Sequence, residues 1–247
     1  MHIVFHERYR EVYASDPAAT KGRLDQAKAV LEEHNHTWIV PQPATDKDIL
    51  LVHTPEHVHR IQDRPHLYEL ALLAAGGGIT AAQEACSGHS CFGLIRPPGH
   101  HASVDSCWGF CWFNNMAVAM QAMRRTGCVH TGLIVDIDLH FGDGTNGFYR
   151  SDPDITYHHL DTFQELERVL AAQTRCDLVG ISAGFDRHLE DWGGLLSTED
   201  YRRLGHMIGE FADQHCPGRV FSLLEGGYNH RVLGYAIQAL LEGIEGQ

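Results

Sequence analysis
The sequence predicts an α/β fold, a mostly parallel sheet covered by helices on both faces, and three observations carry that reading. Short apolar segments alternate with helical ones along all 247 residues, as in strands joined through crossover helices. Four of the apolar segments run straight into polar, glycine-containing loops: Pro97–His101, Asp136–Thr145, Ala183–Asp186 and Glu225–Tyr228. In an open parallel sheet, ligands bind outside the carboxyl ends of the strands, where such loops lie. No linker, repeat or low-complexity stretch interrupts the chain, so one domain over residues 1–247 is expected. The expected architecture is three-layer α/β/α around a sheet of about eight strands.

Taken in order, His2–Phe5 reads as a first strand. Between Lys21 and Glu33, Leu24, Ala27, Ala29, Val30 and Leu31 recur at roughly helical spacing. Thr37–Val40 and Ile49–Val52 predict short strands or buried extended segments. A helix starts near Pro55, and another covers Leu67–Ala85 with Gly76-Gly77-Gly78 inside it. The triplet lacks the lysine and spacing of a phosphate loop, so it marks close helix packing or a break. Cys91–Ile95 is an apolar strand, Phe113–Arg124 a helix, Gly132–Ile137 a buried central strand and Ile155–His158 another strand. Glu165–Ala172 predicts a helix and Leu178–Ser182 a strand. Thr198–Gln214 predicts a helix capped by Ser197 or Thr198, Val220–Leu224 the last strand, and a final helix closes the chain.

A formal net charge of −13 argues against non-specific nucleic-acid binding and suits a cationic ligand, although acidic solubility explains it equally well. Seven cysteines (86, 91, 107, 111, 128, 176 and 216) are an odd number in a chain of this size, several of them in apolar segments. Reduced thiols are expected, with Cys107 and Cys111 as packing residues. There is no signal peptide, and no apolar run reaches the ~18–20 residues of a membrane span, so a cytoplasmic location is expected. With 19 histidines, only clustered ones carry information.

One such cluster follows the central strand. Asp136, Asp138 and His140 alternate, so in an extended backbone they share one side. A buried strand should not carry three such groups on one face unneutralised, and a divalent cation is the simplest partner. A solvated strand end with Asp as a helix cap is the alternative, opposed by the apolar run before it and the glycine-rich turn after it. Asp138 and His140 supply two ligands, and Asp186, at the end of another strand, is the best third. His100-His101 sits on a Pro/Gly-constrained turn suited to acid–base work near neutral pH, though a surface His pair would look the same. Asp136 and Asp143 could each accept a hydrogen bond from one imidazole, fixing its tautomer. Gly226-Gly227 allows close backbone approach and frees the Tyr228 hydroxyl to face an oxyanion; in isolation such a tyrosine is more often a packing aromatic.

Arg96-Pro-Pro-Gly-His-His-Ala102, Gly109-Phe-Cys-Trp-Phe-Asn-Asn115, Asp136-Ile-Asp-Leu-His-Phe-Gly-Asp-Gly-Thr145, Ser182-Ala-Gly-Phe-Asp186 and Glu225-Gly-Gly-Tyr228 resemble the histone deacetylase superfamily. The likeness is to its bacterial and archaeal members, acetylpolyamine amidohydrolases included. It covers nearly the whole chain with every motif in order, and implies the arginase/deacetylase fold. It implies that Asp138, His140 and Asp186 hold one Zn²⁺ (or Fe²⁺). His100 and His101 would be the catalytic pair, with Asp136 behind the first and Asp143 behind the second, and Tyr228 would polarise the substrate carbonyl. Gly109 and Phe110, with Gly227, would bind the substrate's stem. A K⁺ or Na⁺ ion would lie against Asp136, Asp138, His140, His158 and His159. The expected partner is a small acylated amine or acyl-lysine peptide, with a monomer favoured.

The chain departs from the family pattern in three places. Position 141 is Phe where many relatives carry a second His. The segment before Leu67 lacks an insertion that narrows the mouth and mediates dimers in acetylpolyamine amidohydrolases. The long aromatic loop after the Ile155–His159 strand is missing, because His159-Leu-Asp-Thr-Phe163 passes straight into a helix. Phe163 is the candidate replacement for that loop's aromatic wall, and a wider, more exposed site is expected. Removal of an acyl group from an amine is therefore the leading expectation. A hydrolase of acetylpolyamine or of another small amide or ester is the alternative. A non-catalytic acyl-ligand binder is disfavoured because every ligand and acid–base position is filled, and a two-metal arginase centre because no second complete ligand set is found.

Overall fold
A computed structural model of the chain describes residues 1–246. Among these residues seven strands form one sheet in which every pairing is parallel. They are β1 (His2–Val4), β2 (Thr37–Ile39), β3 (Cys91–Gly93), β4 (Gly132–Asp136), β5 (Ile155–His159), β6 (Leu178–Ala183) and β7 (Val220–Leu224), in the order β2-β1-β3-β7-β6-β4-β5. The helices are α1 (Asp25–Glu32), α2 (Asp46–Ile49), α3 (Pro55–Gln62), α4 (Pro65–Cys86), α5 (Asn115–Thr126), α6 (Asp143–Tyr149), α7 (Phe163–Ala172), α8 (Thr198–His215) and α9 (His230–Ile244).

The four loops singled out in the sequence follow β3, β7, β6 and β4, which are adjacent in the sheet. Register aligns their ends: Asp136 lies opposite Ser182, and Ser182 opposite Leu223. All four loops therefore open at one carboxyl edge, the place that parallel topology reserves for a ligand.

Alternation along the strands separates two helical layers. Gly93, Ile95 and Leu223 face α4, where Gly77 and Gly78 let the helix approach their side chains. On the opposite face Phe92 meets Phe185, which packs on Tyr201 of α8 at 5.0 Å between ring centroids. There α9 packs against both α8 and α1, with Gly205 and Gly234 at the two crossings. Burying β4, β6 and β7 completely is what requires apolar residues at successive positions rather than at alternate ones.

Two expectations are corrected, and one open alternative is decided. Ile49–Val52 is not a strand, which is why there are seven strands rather than about eight. The amide of Thr45 donates to Asp48 Oδ2 at 3.0 Å, and the two form a capping box that winds residues 46–49 into a helical turn, burying Ile49 from a helix instead. The glycine triplet does not break α4; a Cβ at Gly76 would lie 2.0 Å from the Gln42 carbonyl oxygen, so it serves close packing. Cys86 and Cys128, at the carboxyl ends of α4 and α5 with Cα atoms 6.5 Å apart, form a disulfide, while the other five cysteines are free. Among the described residues no helix is long and apolar enough to cross a membrane.

Candidate metal centre and catalytic site
The alternation of Asp136, Asp138 and His140 is not that of a strand, because β4 ends at Asp136. Beyond it the amide of Asp138 donates to Asp136 Oδ1 (3.1 Å) and the amide of His140 to Asp138 Oδ1 (2.9 Å). These local turns separate Asp136 from the other two. Asp138 and His140 instead converge with Asp186, which follows β6, and one ligand atom from each lies within 4.8 Å of the others. Asp186 Oδ2 is buried without a hydrogen bond among the described residues; His140 Nδ1 lies 3.0 Å away, off the line a hydrogen bond needs. Two carboxylates and one imidazole, with a buried oxygen left unbonded, fit a divalent cation between them. A Cβ at Gly226 would fall within 2.8 Å of both carboxylates, so glycine is required where β7's loop passes them.

Electrostatics support the same placement. Burial pushes the Asp186 carboxyl up to about 6, with Asp138 adding to the shift. The Asp138 and Asp186 carboxylates beside it push the His140 imidazole up to about 10. Burial opposes ionisation of Asp138, but the charge of His100 and hydrogen bonds from His140 hold it well below the usual range. A proton on His140 thus does the neutralising that a bound cation would do, and metal uptake should displace it.

The histidine pair stands beside this cluster with ring centroids 4.0 Å apart. His100 Nδ1 lies 3.1 Å from Asp136 Oδ2, and His101 Nδ1 lies 2.7 Å from Asp143 Oδ1. The two imidazoles differ in charge. Burial disfavours the charged form of His100, but Asp138 and Asp136 raise it well above the ordinary value. Burial and the neighbouring His100 lower His101, with Asp143 opposing. Glu225 Oε2 accepts the amides of Gly99 (2.7 Å) and His100 (3.1 Å), and burial pushes its carboxyl up to about 7. His100, Cys111 and Glu225 also converge, but these amides and Asp136 already engage Glu225 and His100.

His100, His101, Asp138, His140 and Tyr228 line one cavity of about 130 Å³. Phe110 also lines it, with its backbone in the left-handed region at φ 69°. That conformation is strained for an aromatic residue, and such strain persists where the surroundings over-determine it. Gly109 before it, at φ 58°, brings the backbone against the His101 ring. The cavity is open on the side of His140, whose side chain is 43% exposed.

Three further expectations are corrected here. Phe163 is not an aromatic wall of this cavity; it begins α7 beneath Arg203, 4.4 Å from guanidinium to ring. Trp108 and Trp192 line the cavity instead. Trp192 stacks on Tyr228, and Trp108 lies tilted against the His101 ring, 3.9 Å between centroids, while donating Nε1–H to Asp143 Oδ2 at 2.9 Å. Gly227 does not line the cavity; its carbonyl is held by the buried Arg23 Nε at 2.8 Å, and Gly226 lines the wall in its place. The monovalent-cation residues do not fit a bare cation, because the Asp138 carbonyl accepts Arg187 Nε at 2.9 Å. A cation there would share that oxygen with a fixed positive charge. His159 Nε2 lies 2.9 Å from Arg187 Nη2, and His158 Nε2 is buried without a partner.

Sequence reasoning missed Trp108, Trp192, Arg187 and Tyr157. The Tyr157 hydroxyl donates to Asp136 Oδ2 (2.9 Å) and accepts the Gly142 amide (3.1 Å). Its signal was available: on β5, Tyr157 is opposite Ile134 and His159 opposite Asp136, a polar face unexpected beside a buried strand.

The histone deacetylase domain family matches residues 17–167 and 158–244 of the chain. Histone deacetylase 8 of Arabidopsis thaliana is 28% identical over 271 residues, covering 84% of this chain and 72% of the relative. A histone deacetylase-like amidohydrolase of Pseudomonas aeruginosa is 27% identical over 263 residues, covering 83% and 69%. The crystal structure of the HDA15 HD domain superposes with a TM-score of 0.84 at 25% identity, over 99% of this chain and 89% of that one.

Proposed function
This chain belongs to the histone deacetylase family, whose members here are hydrolases of amide bonds, and from that premise we propose that it is a zinc-dependent deacetylase. It removes acetyl, or another short acyl group, from a linear amine such as acyl-lysine. One observation carries this reading. Asp138, His140 and Asp186 bring three ligand atoms within 4.8 Å, and Asp138 and His140 line the same small cavity as the histidine pair and Tyr228.

Zinc bound there, or ferrous iron with the same ligands, would polarise the acyl carbonyl and acidify a water. His101 is the base. Burial and His100 keep it neutral near pH 7, and Asp143 at its Nδ1 leaves Nε2 free to take a proton from the attacking water. His100, kept charged by Asp138 and Asp136 against its burial, stabilises the negative charge that develops. The Tyr228 hydroxyl donates to the carbonyl oxygen as it becomes an oxyanion. The proton on His101 then passes to the leaving amine. Phe110, Trp108 and Trp192 enclose the stem that carries the amide.

A second reading, hydrolysis of an acetylated polyamine, is favoured by the net charge of −13 and by Trp108 and Trp192, 55% and 53% exposed at the mouth. Exposed indole faces attract the remaining ammonium groups of such a substrate. A fluorogenic acetyl-lysine assay, with trifluoroacetyl, longer acyl and acetylpolyamine substrates beside it, tests both. Turnover lost to a chelator and restored by zinc is expected. A zinc-loaded protein inert on all of them contradicts the proposal.

A further inference from the structure
Arg187 immediately follows Asp186, is 8% exposed, and turns its guanidinium back beneath the metal cluster. Nε donates to the Asp138 carbonyl at 2.9 Å, and Nη2 donates to the Leu160 carbonyl at 2.6 Å and lies 2.9 Å from His159 Nε2. Burial lowers the His159 imidazole, with Asp136 opposing and the Arg187 charge adding to the shift, so Nε2 is available as an acceptor. The arginine's own carbonyl accepts the amides of Leu195 (2.9 Å) and Leu196 (2.8 Å), which fixes its backbone. The loop after β4, the end of β5 and the loop after β6 are thereby tied to one buried positive charge that bonds no carboxylate among the described residues. Burying an arginine without an ion-pair partner is costly unless its donors find acceptors, and here carbonyl and imidazole acceptors take Nε and Nη2, as oxygen ligands surround an alkali cation.

We propose that the Arg187 guanidinium is a built-in monovalent cation, which positions the Asp138 loop for the divalent metal and makes the protein independent of K⁺ and Na⁺. Arg187 touches no substrate and is a positioning residue. It spans the interval between Asp186, to which it is bonded through the chain, and the backbone of Asp138, so it holds two of the three ligands at a fixed separation. A diffusible ion would have to be gathered from solution; the arginine is covalently present.

The inference rests on Asp138 and Asp186 being metal ligands, so the test uses readouts that do not need turnover. Thermal unfolding of the wild-type protein, and its rate of zinc loss to a chelator, are measured in KCl, NaCl and choline chloride at equal ionic strength. Both should be the same in all three salts. Arg187→Ala should lose zinc at least about tenfold faster in choline chloride, charge-assisted hydrogen bonds being the strong ones, and KCl or low guanidinium should slow that loss. Arg187→Gln, which keeps a donor but not the charge, should respond to KCl in the same direction and serves if the alanine variant does not fold. Wild-type protein stabilised by KCl or NaCl over choline, or Tl⁺ bound stoichiometrically near Asp138, overturns the proposal. So do variants that keep zinc as the wild type does. A zinc-binding protein with salt-independent unfolding but no deacylation would instead refute the proposed function and leave the role of Arg187 standing.

Discussion

Trp192 lies flat on Tyr228, with ring centroids 4.0 Å apart and planes 26° from parallel. The stacking holds the phenol from the cavity side, while Arg23 lies 5.1 Å from the same ring. An aromatic pair is worth about 1 kcal/mol beyond its buried area. Trp192→Ala should therefore lower kcat/KM about fivefold, mostly through KM as the stem loses a wall. Trp192→Phe should recover most of it. Unchanged steady-state kinetics in the alanine variant would remove Trp192 from the channel.

Tyr228→Phe keeps the ring and its stacking but removes the oxyanion donor. Loss of such a donor costs about 3 kcal/mol of transition-state stabilisation, or a factor of 10²–10³ in kcat. Zinc content by elemental analysis should be unchanged. A variant retaining full kcat would show that the hydroxyl does not face the reacting carbonyl.

Asp143 raises His101 while burial and His100 lower it. The base must be neutral, so kcat/KM should fall as pH drops through the His101 value, which lies below the ordinary 6.5. Asp143→Asn removes a contribution that raises it. The acidic limb of the rate profile should move to lower pH, with a lower plateau from the weakened tautomer control. A limb that stays in place, or moves up, would assign the base elsewhere.

His53 is a neutral structural histidine. Its Nδ1 lies 2.8 Å from the Ser103 carbonyl, and Nε2 accepts the Asn114 amide at 2.9 Å. Burial, with His57 beside it, pushes it down to about 4 from 6.5. A folded-state value below the unfolded one gives stability that is present above pH 6.5 and lost as pH falls toward 4. The loss is about 3 kcal/mol at most. Urea unfolding should show His53→Gln losing less stability than wild type across that window; parallel profiles would contradict the assignment.

Much of the fold was legible because β4, β6 and β7 are buried on both faces and therefore apolar throughout. Ile49–Val52 has the same apolar character, but a capping box one turn upstream decides its conformation, and periodicity does not register a cap. Asp138, His140 and Asp186 were legible because charged side chains directly after buried strands need a partner. Trp108 and Trp192 were not, since an aromatic in an exposed loop carries no period, and only the folded chain brings them to His101 and Tyr228. Arg187 was hidden for another reason. Its place in the sequence reads as a surface charge, and its acceptors are backbone carbonyls of Asp138 and Leu160, which every sequence has.

Titration of metal-free protein with zinc, following acetyl-lysine hydrolysis and bound metal together, tests the mononuclear centre most directly. Activity should rise in proportion to zinc and level off at one equivalent per chain, and Asp186→Ala should neither take up the metal nor regain turnover. Full turnover by the metal-free wild type, or a plateau reached only at two equivalents, would contradict a single Asp138–His140–Asp186 site.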